Sequence, residues 1–158
     1  MKIKTVVKIL LAVLVCLGIG FIGSIATQTT VDTWFATLEK PSFNPPSWVF
    51  APVWSLLYVL MGVAAGIVWS KGFHHLWVKT ALYHFGFQLI LNAGWSIAFF
   101  GYQSPLAGLI IIIALIILVL FTFKWFKIVS PAAAYLLIPY ILWITFAAAL
   151  NFEIWRLN

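Results

Sequence analysis

LAGLIIIIALIILVLFTFKWF, Leu106 to Phe126, decides the fold. From Leu109 to Leu120 it has no polar residue and no alternation. By propensity its isoleucines favour a strand, but a barrel strand alternates apolar and polar positions over about 10 residues. A lipid-spanning segment must satisfy its backbone groups internally, and a helix of roughly 20 apolar residues does so. Four further runs have similar character: Val6 to Ala26, Trp48 to Trp69, Trp77 to Phe100 and Ala132 to about Phe152. The expected fold is an all-α membrane protein, one domain over residues 1–158, with five transmembrane helices at about 6–26, 48–69, 77–100, 106–126 and 132–152. Composition agrees: 65% of the 158 residues are apolar or aromatic and 8% are charged, and the mean hydropathy is +1.12. That is too little charge to clothe a water-facing surface, which excludes an ordinary soluble enzyme, a disordered tail and a disulfide scaffold. The net charge of +6 does not make a nucleic-acid binder, because so few basic residues in so apolar a chain form no basic face.

The span edges are punctuated. Ser104-Pro105 and Ser130-Pro131 pair a capping hydroxyl with a proline at the first helical position. Asn44-Pro45-Pro46 precedes the second span, and Trp48, Trp69, Trp77, Trp125 and Trp155 sit where indoles favour the headgroup layer. Five spans put Lys2, Lys4, Lys8, Lys71, Lys79, Lys124 and Lys127 on one side, and Lys40 and Arg156 on the other with Asp32, Glu39 and Glu153. The positive-inside rule then puts the N-terminus in the cytoplasm and the C-terminus opposite. Lys2 and Lys4 before an apolar run also fit a secretory signal, but the run is long and no small-x-small site follows. Cys16 is the sole cysteine, so no intrachain disulfide forms.

The first connection, residues 27–47, is the long one. Val31, Trp34, Phe35 and Leu38 at i, i+3, i+4, i+7 suggest a short amphipathic helix, lying on the membrane surface or folded over the bundle mouth as a lid. Inside the spans, polar residues are costly and face the bundle interior. His84, Gln88 and Asn92 share one face of the third span with Trp95 and Ser96 a turn on. Ala51, Trp54, Ser55, Tyr58 and Gly62 form a stripe on the second, and Pro139, Trp143, Ala147, Leu150 and Asn151 one on the fifth. These faces either bond helix to helix or converge on a cavity. His84 has no intramembrane carboxylate beside it, and a core hydrogen bond is expected for it. Gly62-x-x-x-Gly66 permits close helix packing or dimerisation. His74-His75 lacks companions at metal-ligand spacing. There is no phosphate loop, nucleophile elbow or paired carboxylate within a span.

Lys40 to Trp54, KPSFNPPSWVFAPVW, closely resembles the loop-to-helix signature of the tryptophan-rich sensory protein family, also called translocator proteins or peripheral-type benzodiazepine receptors. Gln88-Leu89, Leu91-Asn92, Trp95 and Phe99-Phe100-Gly101 resemble its third helix; Pro139-Tyr140, Trp143, Phe146-Ala147, Leu150-Asn151 and Trp155-Arg156 resemble its fifth, and Trp34 fits its first loop. The resemblance implies a five-helix bundle, often dimeric, whose first loop covers a ligand cavity. It implies binding of porphyrins such as protoporphyrin IX and haem, of sterols in some members, and of isoquinoline and benzodiazepine drugs, with no cofactor required. By motif position Trp54, Asn92, Trp95, Trp143, Ala147 and Leu150 would line the cavity, joined less directly by Phe50, Ala51 and Ser24. Some bacterial members are reported to break down protoporphyrin under light through two cavity tryptophans; those positions match Trp54 and Trp143, and indole can donate an electron to an excited porphyrin. The family's sterol motif falls at Leu150 to Arg156, where Phe152 replaces its tyrosine and removes the hydroxyl proposed to meet a sterol. The resemblance therefore favours a tetrapyrrole over a sterol.

Overall fold

The structure, a computed structural model, describes residues 2–158. Helix α1 is Ile3–Thr30, α2 Phe50–Ser70, α3 Leu76–Ser96 and α4 Pro105–Val129; the fifth span is split into α5 (Pro131–Tyr135) and α6 (Ile138–Leu157). Among the described residues there is no strand. Both Ser-Pro pairs cap as expected: Ser104 Oγ accepts from Ala107 N and Ser130 Oγ from Ala133 N. Pro139 accounts for the break at Leu136-Leu137, since it has no N–H and its ring crowds the carbonyl four residues back.

Three spans run past both expected ends, α1 reaching Thr30, α4 Val129 and α6 Leu157, whereas α2 starts at Phe50 and α3 stops at Ser96. Four stretches are long and apolar enough to cross a membrane on their own: Ile3–Thr30, Ser47–Ser70, Pro105–Val129 and Pro131–Leu157. Helix α3 does not stand among them. It has 21 residues, about 31 Å at 1.5 Å per residue, which matches the hydrocarbon thickness. Its apolarity is diluted by Gln88 and Asn92, each 1% exposed. It crosses as a member of the bundle, with its polar face turned inward. A π-helical turn, Ile97–Gly101, ends it.

Round the bundle the order is α1, α2, the fifth span, α4, α3 and back to α1. The tightest seam joins α1 to α2. There a Cβ on Gly62 would collide with the Cα of Val13, and one on Gly66 with the Cα of Ile9. The Gly62-x-x-x-Gly66 pair is thus consumed within the chain and is not a face for a second copy. Lys8 Nζ lies 5.5 Å from the Trp69 ring, fixing the start of α1 beside the end of α2. The half of the bundle at that end is solid: Met61, Ala64, Val68, Val78, Ala81, Phe126 and Ala133 are all fully buried. At the opposite end α2 and α6 hardly touch, and a cavity opens between them.

The first loop does not form the expected amphipathic helix. Between Thr30 and α2 the chain holds two short 3-10 turns, Phe35–Thr37 and Ser47–Val49. The apolar spacing serves a plug instead: Phe35 is buried against Phe99 and Ile154, with Val31, Trp34 and Leu38 around it. Val31, Asp32, Phe35, Asn44 and Ser47 of this loop border the cavity described below.

Candidate functional site

Above the solid half, a cavity of about 620 Å³ is walled by α1, α2, α3, α6 and the first loop. Small-molecule sites run from roughly 300 to 1,000 Å³. Three indoles shape it. The Trp54 ring stacks on Tyr58 (5.7 Å, 29°), lies 6.2 Å from Trp95, and meets Trp143 edge-on at 6.4 Å and 87°. Phe50 packs on Trp143 at 5.9 Å. Ala51, Ala147 and Leu150 complete this side, and Ser24 faces it from α1. Seven of the eight residues expected at a ligand are thus on one wall.

Asn92 is the exception: it is not among the residues that line the cavity. It stands behind the wall in a buried relay. Tyr58 Oη donates to Asn92 Oδ1 (2.5 Å), Asn92 Nδ2 donates to Tyr140 Oη (2.8 Å), and Tyr140 Oη donates to Gln88 Oε1 (2.7 Å). Gln88 Nε2 reaches Met61 Sδ at 3.8 Å. Each hydroxyl and amide is satisfied by a neighbour on another helix, so the polar stripe of α3 serves as interhelical glue below the cavity floor. His84 leaves the stripe altogether, its Nδ1 bonded to Thr80 O at 2.8 Å. Trp95 Nε1 donates to Asn151 Oδ1 (3.0 Å), and Asn151 Nδ2 donates to Pro105 O (2.7 Å), which ties α3, α6 and α4 together.

Two polar atoms at the cavity have no partner among the described residues: Trp143 Nε1, a donor, and Asn44 Oδ1, an acceptor. Each is sealed from water, and such a group costs about 1–3 kcal/mol unless something meets it. Trp143 is also a partition. Its other side borders a groove facing lipid, formed with Val53, Leu57, Leu142 and Phe146.

Aromatics crowd the mouth. Phe35 lies 5.3 Å from Phe100 and 6.0 Å from Phe99; Trp34 lies 5.7 Å from Phe99. Thr30 Oγ1 donates to Phe100 O at 2.8 Å, pinning the end of α1 to the π turn. The Asn158 amide clasps the loop, accepting from Glu39 N (3.1 Å) and donating to Glu39 O (2.9 Å). Phe43 reaches Phe146 at 6.1 Å.

The residues match known proteins in the same order. The family model for TspO/MBR covers residues 12–156. The chain belongs to the TspO/MBR family. It is 48% identical over 154 residues to Tryptophan-rich protein TspO of Archaeoglobus fulgidus, covering 97% of this chain and 98% of that one. To Tryptophan-rich protein TspO of Chlorobaculum tepidum it is 44% identical over 155 residues, 98% of each chain. To the human Translocator protein it is 38% identical over 143 residues, 87% of this chain and 82% of that one. As a TspO/MBR protein it is an integral membrane protein.

The stripes on α2 and α6 led to most of this TspO/MBR site. From α1 the resemblance supplied only Ser24; Gly20 and Thr27 line the cavity with it at i, i+4, i+7. That spacing of small and polar residues was the available signal. The sterol-motif segment is divided by the helix: Leu150 faces the cavity while Phe152 is 44% exposed on the outside.

Proposed function

We propose that this membrane protein binds a free tetrapyrrole of the porphyrin type, in sensing, regulation or transport of such intermediates. The observation that carries this is the set of three indoles, Trp54, Trp95 and Trp143, around one cavity together with the small Ala51 and Ala147. A porphyrin is a large flat apolar plate. Indole faces stack on such a plate, and small side chains leave it room. The cavity wall has no His, Cys or Met, and the Tyr58 hydroxyl is committed to Asn92. Haem held there would rely on stacking without a protein axial ligand, so a metal-free ring is the better fit. Sterols and isoquinoline or benzodiazepine drugs are lesser candidates for the same space. A relative in Cereibacter sphaeroides is named Tryptophan-rich sensory protein, and the mammalian ones Translocator protein; the sensing and transport roles are proposed on that footing. The cytoplasmic N-terminus and a homodimer built on a face other than Gly62-Gly66 belong to the same proposal.

Titration of protoporphyrin IX into the purified protein, followed by tryptophan quenching, tests it. Strong saturable quenching that weakens in Trp143→Phe is expected; weak quenching unchanged by that substitution would overturn it. A second reading, light-dependent porphyrin breakdown, is favoured by the edge-on contact of Trp54 and Trp143 within the cavity. Equal photobleaching by the wild type and the Trp54→Phe/Trp143→Phe double variant would remove it.

A further inference from the structure

Among the described residues the cavity wall carries one charged residue, Asp32, and no Lys, Arg or His. The other polar groups toward the mouth are neutral: Gln28, Thr27, Asn44 and Ser47. One of them, the buried Asn44 Oδ1, is an acceptor without a donor. The nearby cation, Lys40, is not part of the wall. Its ammonium donates to Leu38 O at 3.2 Å and covers the Phe35 ring at 4.8 Å. The one Arg at this end, Arg156, is paired with Glu153. A ligand carboxylate drawn inside would find no cation and no free charged donor to replace its hydration, which is prohibitive for an ionised group. Held at the mouth instead, it would meet Asp32, a like charge.

Resting on the porphyrin reading above, we propose that the site is charge-selective. It takes uncharged flat aromatic ligands in preference to carboxylate-bearing ones, and Asp32 is the residue that sets the preference. Carboxylates of a porphyrin that does bind stay at the water-facing edge, and the neutral edge of the ring goes in first toward Trp54 and Trp143.

Protoporphyrin IX, a dicarboxylate, and its dimethyl ester differ in charge and share the ring. Titration of both into wild type and Asp32→Asn, at low and at high salt, isolates the charge. Asp32 is exposed in a turn, so the substitution leaves the fold intact. The expected result is that Asp32→Asn tightens the dicarboxylate by about two- to fivefold at low salt and leaves the ester unchanged. High salt should shrink that gain, and Asp32→Lys should enlarge it. An unchanged ratio of the two affinities in both variants, with both compounds still quenching, would overturn the charge selection alone. Quenching by neither compound would overturn the cavity reading itself.

Discussion

Gly62 lies so close to the backbone of Val13 that a single added methyl would strike the Val13 Cα. Backbone cannot yield as a flexible side chain does, so the seam must open. Gly62→Ala is expected to cost about 1–3 kcal/mol. In a protein of this length that lowers the melting temperature by roughly 3–10 °C, readable by thermal unfolding in detergent. An unshifted midpoint would mean that α1 does not pack as described.

Asn92→Ala separates support from contact. It deprives Tyr58 Oη of its acceptor and Tyr140 Oη of a donor. The loss of stability should fall between about 0.6 kcal/mol, typical of a membrane hydrogen bond, and about 3 kcal/mol for stranded buried groups. Porphyrin affinity should stay within about twofold, since Asn92 lies behind the wall. A large loss of affinity with an unchanged melting temperature would place Asn92 at the ligand after all.

Trp143→Phe and Trp54→Phe should do the reverse. Each keeps a ring in the wall but shrinks the stacking face, and the first also removes the unpartnered Nε1–H. A loss of about two- to tenfold in affinity is expected for each, in line with single aromatic pairs, with little change in melting temperature.

Asn158→Ala should loosen the lid alone. The two hydrogen bonds to Glu39 disappear, together with the one from Asn158 Nδ2 to Ile154 O at the end of α6, while the other helix bonds remain. Hydrogen exchange is the measurement: amides of residues 31–46 should exchange faster and those of α2 to α4 should not. Uniform acceleration would show that the clasp holds the whole bundle.

Orientation is testable with introduced cysteines, because the native Cys16 is buried. Lys127 and Ser42 are both exposed and lie at opposite ends. In intact cells a membrane-impermeant reagent should label Ser42→Cys and spare Lys127→Cys. The opposite pattern reverses the topology.

Hydropathy and the Ser-Pro pairs made the spans legible because lipid leaves the backbone no alternative to a helix. Helix ends were less legible. Lys2, Glu153 and Arg156 mark polar flanks in sequence, yet a helix costs nothing to continue into the headgroup layer. The first loop misled because i, i+3, i+4 spacing in Val31, Trp34, Phe35 and Leu38 also suits a compact plug. Its partners, Phe99 and Ile154, lie far along the chain. Asn92 illustrates the other limit. A polar residue on an inward face is either at a ligand or beneath one, and only the positions of Tyr58 and Tyr140 decide between them.

The solid half below Tyr58 and Tyr140 makes the molecule a cup and not a tube. Fully buried side chains fill the end away from the mouth, so a ligand received at the mouth would be handed back on the side it came from. The cup has one thin place, the Trp143 indole, with the cavity on one side and the lipid-facing groove on the other. A ligand of the proposed kind that did not return to water would leave sideways past that ring, into the leaflet at its own depth. If the proposed transport role holds, a cup of this shape would pass its load between solvent and membrane, and reaching the far compartment would be left to the bilayer.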